Sequence, residues 1–311
     1  MNSSFSETNN YLQIAWDATS LELLKTCPRK YQLSILCGFT THEQNVHFSF
    51  GILYHEAQDY FQRALSFKIE RNQAVNDTVR YLLSRTWDEK TGRPWNSEHP
   101  NKNRFTLIRS FVWWTEQYKD DALETVAFDG RPAVELSFQF QSAYSATTGE
   151  PFIICGHLDR VAKLSSHTYI TDYKTTKYQI SSPDYFDFYS PDNQMSLYGF
   201  AGKIIYNAEI EGVIVDATQV MVNFNRYRRG FALRTENQLT EWYRELGQFW
   251  LPLAEFYATK KAWPMNDTAC GRYGGCQFRG ICGKDSKTRD LWLEAGFARR
   301  VWDPLKIRGD V

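Results

Sequence analysis

Apolar positions along this chain follow two periods, one near 3.6 residues and one of 2. The first stretch, Asp17 to Cys37, reads as helix. Thr19 and Ser20 can cap it, and Leu21, Leu24 and Tyr31 give it an apolar side, while Pro28 forces a break near Cys27. A second helix is expected over Phe50 to Phe67, where Ile52, Ala57, Tyr60, Phe61 and Ala64 supply contacts. Asn72 to Trp87 and Arg104 to Leu123 also carry the helical period, the latter with Phe111, Trp113, Trp114 and Tyr118. Between them Thr91 to Asn103 holds Gly, Pro and Asn and reads as loop. From Ala133 to Phe140 the period becomes 2: Val134, Leu136, Phe138 and Phe140 alternate with Glu135, Ser137 and Gln139. Strand-like runs follow at Phe152 to Ile154, at Tyr169–Ile170 and over Gly212 to Phe224. Ser181 to Asn193 is a polar and aromatic loop. Helices are expected again over Asp192 to Tyr206 and Thr235 to Lys261. No internal repeat or low-complexity linker interrupts the series.

The Phe152 and Tyr169 strands flank a turn at Ser165-Ser166-His167. With the turn centred between Ser165 and Ser166, Asp159 falls opposite Asp172. Lys174, two residues on, projects from the same face as Asp172. Like charges directly opposite one another destabilise a sheet. A hard divalent cation with oxygen ligands is the natural compensation. Taken alone, Asp and Lys near strand ends also read as solvated surface residues.

Other positions carry chemistry with two readings each. His55 and Asp59 stand at i and i+4 and share a helix face, as an ordinary pair or as a ligand with its orienting partner. Gln194 and Tyr198 lie one turn apart, suited to substrate contact and site support or simply amphipathic. Alternation puts Glu135 on the polar face of its strand, beside a site or facing water. Arg226-Tyr227-Arg228-Arg229 is the densest basic and aromatic patch. It reads as a DNA-binding element that takes phosphates and stacks a base, or as a basic hairpin tip in water.

Composition narrows the class. A 42% hydrophobic and 23% charged chain is a folded globular protein. Lys plus Arg and Asp plus Glu each count 36, so no global basic signal marks a nucleic-acid partner, although a local basic groove can still steer a strand. Aromatic residues make up 16%, and a few of them on a groove could stack on unpaired bases. Met1 to Asn10 is polar and lacks the apolar run of a secretory signal, and no run is apolar enough to span a membrane. Six cysteines in such a chain are expected to be thiols or metal ligands rather than disulfides. Cys27 lies beside Arg29 and Lys30, which favours thiolate.

Gly156-His157-Leu158-Asp159 followed by Asp172-Tyr173-Lys174-Thr175 resembles the core of the PD-(D/E)XK nuclease superfamily, in its RecB-like exonuclease branch. An earlier helix His fits at His55 in Gly51-Ile52-Leu53-Tyr54-His55-Glu56. A later Gln-x-x-x-Tyr helix fits at Gln194 to Tyr198. One early cysteine, Cys27, and three late ones, Cys270, Cys276 and Cys282, resemble the set that holds an iron–sulfur cluster in some members. The resemblance runs in family order from about Cys27 to Cys282.

That resemblance implies an α/β fold with a mixed central sheet flanked by helices. It would be one domain over 1–311 with its core at about 50–225, and a helical N-terminal part clasped to a C-terminal cysteine loop. It implies metal-dependent DNA hydrolysis, as an exonuclease on single strands or ends in recombination, repair or phage DNA processing. Asp159, Asp172, His55 and the Tyr173 carbonyl would hold Mg²⁺ or Mn²⁺. Lys174 would orient water and stabilise charge, with Gln194 and Tyr198 in support and Glu135 and Asp59 behind the ligands. The alternative function is a catalytically inactive DNA-end-binding or protein-interaction module on the same fold. No Gly-x-x-x-x-Gly-Lys-Ser/Thr motif appears, so a helicase or recombination protein would be a separate partner. A cytoplasmic setting, bacterial or viral, follows from the same analogy.

The cysteine spacing, five residues in each of the last two gaps, is neither a zinc ribbon nor a ferredoxin run, and its first gap is longer than is common in RecB-like nucleases. Gly271, Gly274, Gly275 and Gly280 permit a close wrap around a cofactor. Four thiolates suit a 4Fe–4S cluster, with zinc as the alternative. Cys37 and Cys155 are expected to be buried thiols. Arg299, Arg300, Lys306 and Arg308 in the tail form a further basic segment.

Overall fold

The computed structural model describes residues 4–42, 45–96, 98–206, 210–271 and 275–306. Gly274 and Arg308 lie outside them. The chain divides into two compact units. The first comprises Gln44–Leu136 and His157–Thr235, and the second Met1–Glu43, Ser137–Gly156 and Glu236–Val311. The fold is α/β, with a mixed central sheet flanked by helices.

In the first unit four helices serve the sheet: α1 (Val46–Ser66), α2 (Arg71–Arg85), α3 (Arg104–Gln117) and α4 (Asn193–Tyr206). Asn45 caps α1 by accepting from the His47 amide, and Asn103 and Thr106 form a reciprocal capping box at the start of α3. The strands are β1 (Leu123–Thr125), β2 (Val134–Tyr144), β3 (Pro151–Leu164), β4 (His167–Thr176), β5 (Ile210–Val220) and β6 (Asn225–Leu233), of which Ser137–Tyr144 and Pro151–Gly156 belong to the second unit. Within the first unit the order is β1-β3-β4-β5-β6, with β4 and β5 parallel and the other pairs antiparallel. The parallel pair needs a crossover, and α4 supplies it.

The hairpin takes the expected register. His167 pairs with Leu164, and the series continues to Ile170 with Val161 and Thr171 with Arg160. Ser165 takes a left-handed conformation, φ 56°, to make the tight turn. Period-2 alternation then divides the sheet into two faces. On one, α1 and α3 pack: the Tyr54 and Thr218 hydroxyls lie 2.9 Å apart, and Trp114 Nε1 donates to Asp216 at 3.2 Å. Phe50, Tyr54, Phe61, Phe111, Trp114 and Tyr173 form this core. The other face carries Ile170, Asp172 and Lys174 and is covered by α4. A Cβ at Gly202 would come within 2.7 Å of Ile170 Cδ1, so glycine lets the helix approach closely.

Three expectations change. Helix α3 stops at Gln117, because Leu123 joins the sheet edge and Asp121 accepts from its amide. The Arg226–Arg229 patch is a strand rather than a hairpin tip: each residue pairs with β5, from Gln219 with Arg226 to Asp216 with Arg229. Alternation along β2 fails at Glu135, whose φ is 52°.

In the second unit Ala15–Trp16 runs parallel to Ile153–Ile154. Asp17 and Ser20 form a capping box on Ala18–Thr26, and the helix breaks at Cys27 before resuming with Pro28. Trp16, Tyr31 and Trp263 pack as a row of rings. Leu33, Phe39, Phe278, Ile281 and Leu293 form a separate apolar cluster. Cys155 is buried and its thiol is pushed upward by burial, whereas Cys37 is only half-buried, at the border of that cluster.

Candidate active site

The acidic pair sits where the hairpin opens. The last paired residues are Thr171 and Arg160, one step before Asp172 and Asp159. There the Asp159 side chain replaces a strand: its Oδ2 accepts the Tyr173 amide at 2.9 Å. His55 Nδ1 lies 3.3 Å from the same oxygen. Both contacts fall on Oδ2. Asp172 is 1% exposed, and Lys174 Nζ lies 2.8 Å from its Oδ1 and 2.5 Å from its Oδ2. Lys174 also donates to Gln194 Oε1 at 2.9 Å, and Gln194 Nε2 donates to the Tyr198 hydroxyl at 2.9 Å. Thus α4 holds the ammonium through a chain of two side chains spaced one helical turn apart.

The charges are strongly biased. Burial raises the Asp172 carboxyl, the Asp159 charge adds to this, and Lys174 opposes it; the result is about 6. Burial also works to raise Asp159, but His55, Lys174 and the Tyr173 amide outweigh it and the carboxyl falls below its ordinary value. Burial disfavours the imidazolium of His55, yet its carboxylate partner Asp159 raises it overall. Lys174 is likewise raised by Asp172 and Asp159 against its own burial. Two carboxylates facing one ammonium and one imidazole thus form a site whose oxygens are arranged for positive charge.

A second acidic pair lies behind the first. Asp59 is raised well above the usual carboxylate range by burial, then by Glu135 and Asp159, and it shares a hydrogen bond with Glu135. Asp59 Oδ1 is buried with no hydrogen-bond partner. Glu135 reaches this place through its left-handed backbone, a conformation that costs a non-glycine residue about 1–2 kcal/mol. The expectation that Asp59 orients His55 is therefore corrected: the partner of His55 is Asp159, and Asp59 pairs with Glu135.

The basic patch is split by strand alternation. Arg229 faces α3, where it bonds Asp216 at 2.9 Å and Asp121 at 2.7 Å and stacks on Tyr118. Tyr227 turns the same way and donates to the Ser110 carbonyl at 3.0 Å. Arg226 and Arg228 face the other way. Arg229 is thus neutralised and Tyr227 is held against α3, so alternation divides the four between two faces, which corrects the reading of all four as one DNA-binding element. Residues not singled out from the sequence also border the site. Asp192, at the start of α4, acts on Lys174, and Tyr189 in the Pro183–Tyr189 3₁₀ segment feels the Asp172 charge. The Pro191-Asp192 dipeptide ahead of an apolar helix was the available signal for Asp192.

Residues 15–283 match the family model of the PD-(D/E)XK nuclease superfamily. The chain belongs to the PD-(D/E)XK nuclease superfamily. Two solved structures are similar. One is a provisionally named exonuclease from Eubacterium rectale, 11% identical, with a TM-score of 0.48 over 93% of this chain and 98% of that one. The other is SSO0001, 11% identical, with a TM-score of 0.33 over 87% of each chain. No curated protein matches at a significant level. Among the described residues, no helix is long and apolar enough to cross a membrane.

The four cysteines of the expected cluster all fall in the second unit. Cys27 Sγ accepts the Asn266 amide at 3.4 Å, Cys270 Sγ approaches the Asn266 carbonyl at 3.9 Å, and the Cys276 amide donates to the Cys270 carbonyl. Burial raises the Cys282 thiol, Arg29 opposes this, and Cys276 and Cys27 add to it. Among the described residues, no three His, Cys, Asp or Glu side chains already form a metal cage.

Proposed function

We propose that this PD-(D/E)XK protein is a metal-dependent DNA exonuclease acting on single strands or ends. The observation that carries the reading is the convergence of Asp159, Asp172 and Lys174 at the open end of the β3–β4 hairpin. The donor set fits a hard cation. Mg²⁺ is commonly held by only one or two carboxylates and keeps several waters, so a closed cage of protein ligands is not required. Asp159, Asp172 and the Tyr173 carbonyl would hold the ion, and His55 would favour Mn²⁺ if it joined them. A divalent ion held there would supply Lewis acidity and lower the pKa of a bound water.

The protein's own groups do the rest. Lys174, held by Gln194 at 2.9 Å, would set an ammonium against the charge that develops on the phosphate. Gln194 and Tyr198 are positioning residues that keep this ammonium directed. The Asp59–Glu135 pair keeps negative charge behind Asp159. In the second unit, Cys27, Cys270, Cys276 and Cys282 would hold a 4Fe–4S cluster, or zinc, and so clasp residue 27 to 270–282. The soft donors fit either group, and the neighbourly thiols support the assignment. A recombination or repair setting, and a helicase as partner, belong to this same proposal.

The test is a nuclease assay on labelled single-stranded and duplex DNA with Mg²⁺, Mn²⁺ or chelator. Asp172→Asn and Lys174→Ala should each lower metal-dependent cleavage by at least about 10²-fold while the variants stay folded. Retained cleavage in either variant would overturn the assignment. A folded wild-type protein that binds DNA ends without cleaving them would establish the inactive-module alternative.

A further inference from the structure

A groove of about 650 Å³ runs along the outer edge of β6, on the first unit. Trp113, Glu116 and Lys119 line one side, with Lys119 paired to Glu116 at 3.3 Å; Ile180 lines the other, and Arg226, Tyr227 and Arg228 the floor. Three features distinguish it from ordinary charged surface. The first is uncompensated charge. Arg229 is neutralised by Asp216 and Asp121, but its neighbours bond neutral groups: Arg228 donates to the Ile180 carbonyl at 3.1 Å, and Arg226 to Gln219 at 3.3 Å. These acceptors leave both guanidinium charges in place.

The second feature is an exposed aromatic row on α3, whose Trp113 end lines the groove. Phe105, Arg109 and Trp113 stand at i, i+4 and i+8 on α3, so they share a face. Phe105 is 72% exposed and Trp113 44%, with the Arg109 guanidinium 6.0 and 5.2 Å from their ring centres. Arg109 is itself anchored on the Met221 and Val222 carbonyls, which fixes the row to the turn before β6. The third feature is continuity with the reacting centre. Lys174 pairs with Ala217, and Ala217 with Arg228. Residues in register on adjacent strands face the same way, so Arg228 shares the face of Lys174, about 10 Å away across two strand spacings. Arg226 continues the row through Gln219 and Thr176.

We propose that this groove is the track of a single strand of nucleic acid, with Arg226 and Arg228 on its phosphates and Trp113 under an unpaired base. The inference rests on the nuclease reading and names the form in which the substrate leaves or approaches the site. A peptide adding to the edge of β6 would also need side-chain pockets for alternate residues. Two free guanidinium charges and a flat indole instead suit a polyanion with stacking bases.

The experiment is fluorescence anisotropy on the full chain in chelator, with a labelled oligothymidylate and a blunt duplex of equal length, across a salt series. Trp113→Ala should weaken oligothymidylate binding by roughly 5- to 100-fold and spare the duplex. Arg226→Gln with Arg228→Gln should flatten the log–log salt slope by about 1.4, two contacts at about 0.7 each on a single strand. Hydrolysis of a small chromogenic phosphodiester, too short to span the groove, should stay at the wild-type rate. Arg226→Gln alone, at the surface above Phe224, keeps the test in hand if the double variant fails to fold. Wild-type affinity and slope in folded variants would overturn the proposal. So would equal losses on duplex and single strand, or a wild-type protein that does not bind the oligonucleotide. If no phosphodiester is cleaved while the binding differences appear, the nuclease reading fails and the track stands.

Discussion

The Asp159 carboxylate accepts the backbone amide of Tyr173 at 2.9 Å, at the point where the hairpin register would set Asp159 against Asp172. The ladder stops one residue earlier. A side chain thereby supplies the acceptor that the neighbouring strand would have provided. This pins Asp159 beside Asp172 without pressing the two carboxylates together as a cross-strand pair. It also leaves the Asp172 side chain to Lys174.

Asp172 gives a pH dependence with a defined sign. Its folded value, about 6, lies above the ordinary 3.8, chiefly through burial. The folded protein therefore holds this proton more tightly than the unfolded chain. In the metal-free protein the group's contribution to stability falls as pH rises from about 4 to about 6. A cation requires the deprotonated form. The rise in melting temperature produced by Mg²⁺ or Mn²⁺ should accordingly be small near pH 5 and grow above about pH 6. Asp172→Asn should remove most of that rise at every pH. Equal shifts on both sides of pH 6 would show that Asp172 does not hold the ion.

Glu135 holds a left-handed backbone and a carboxyl pressed against Asp59. Glu135→Gly should remove both penalties. The backbone gain of about 1–2 kcal/mol exceeds the entropic loss of about 0.5–1 kcal/mol for glycine in a strand. Metal-free melting temperature should rise, while metal affinity or cleavage drops about 10- to 100-fold. A less stable variant with full activity would assign Glu135 to structure alone.

Gly230 lies on the Asp172 and Lys174 face, and a Cβ there would meet the Phe186 ring at 2.2 Å. Gly230→Ala must push the Pro183–Tyr189 segment outward, away from its place beside Asp172. Stability should fall by about 1–3 kcal/mol, with weaker cleavage. Adding Phe186→Ala should recover much of the activity, because the two changes meet at one contact. Purely additive losses would place the segment outside the site.

The cysteine clasp is proposed as structural. Anaerobically purified protein should be brown, and elemental analysis showing zinc without iron would select the alternative. A site closed by four protein ligands has no open position, and its binding energy becomes folding energy. Cys276→Ser should lower melting temperature and soluble yield, while cleavage per folded molecule persists. Normal stability with lost cleavage would draw the thiols into the chemistry.

The sequence by itself determined what is local. Alternation about the Ser165-Ser166 turn set the hairpin register and put Asp172 and Lys174 on one face. Pro28 set the break at Cys27, and helical spacing put Gln194 and Tyr198 on one side of α4. These follow from backbone periods that any short window reveals. Tertiary structure decided what depends on partners far along the chain. Arg229 looked like its neighbours in sequence, yet Asp121, 108 residues earlier, helps to neutralise it, whereas Arg226 and Arg228 kept their charge. His55 found Asp159 rather than Asp59, and Trp113 stayed in solvent while Trp114 entered the core. A strand's period states which side a residue faces. Whether that side holds a carboxylate, a ring or water is fixed only when distant segments pack, because burial and Coulomb energy depend on distance in space.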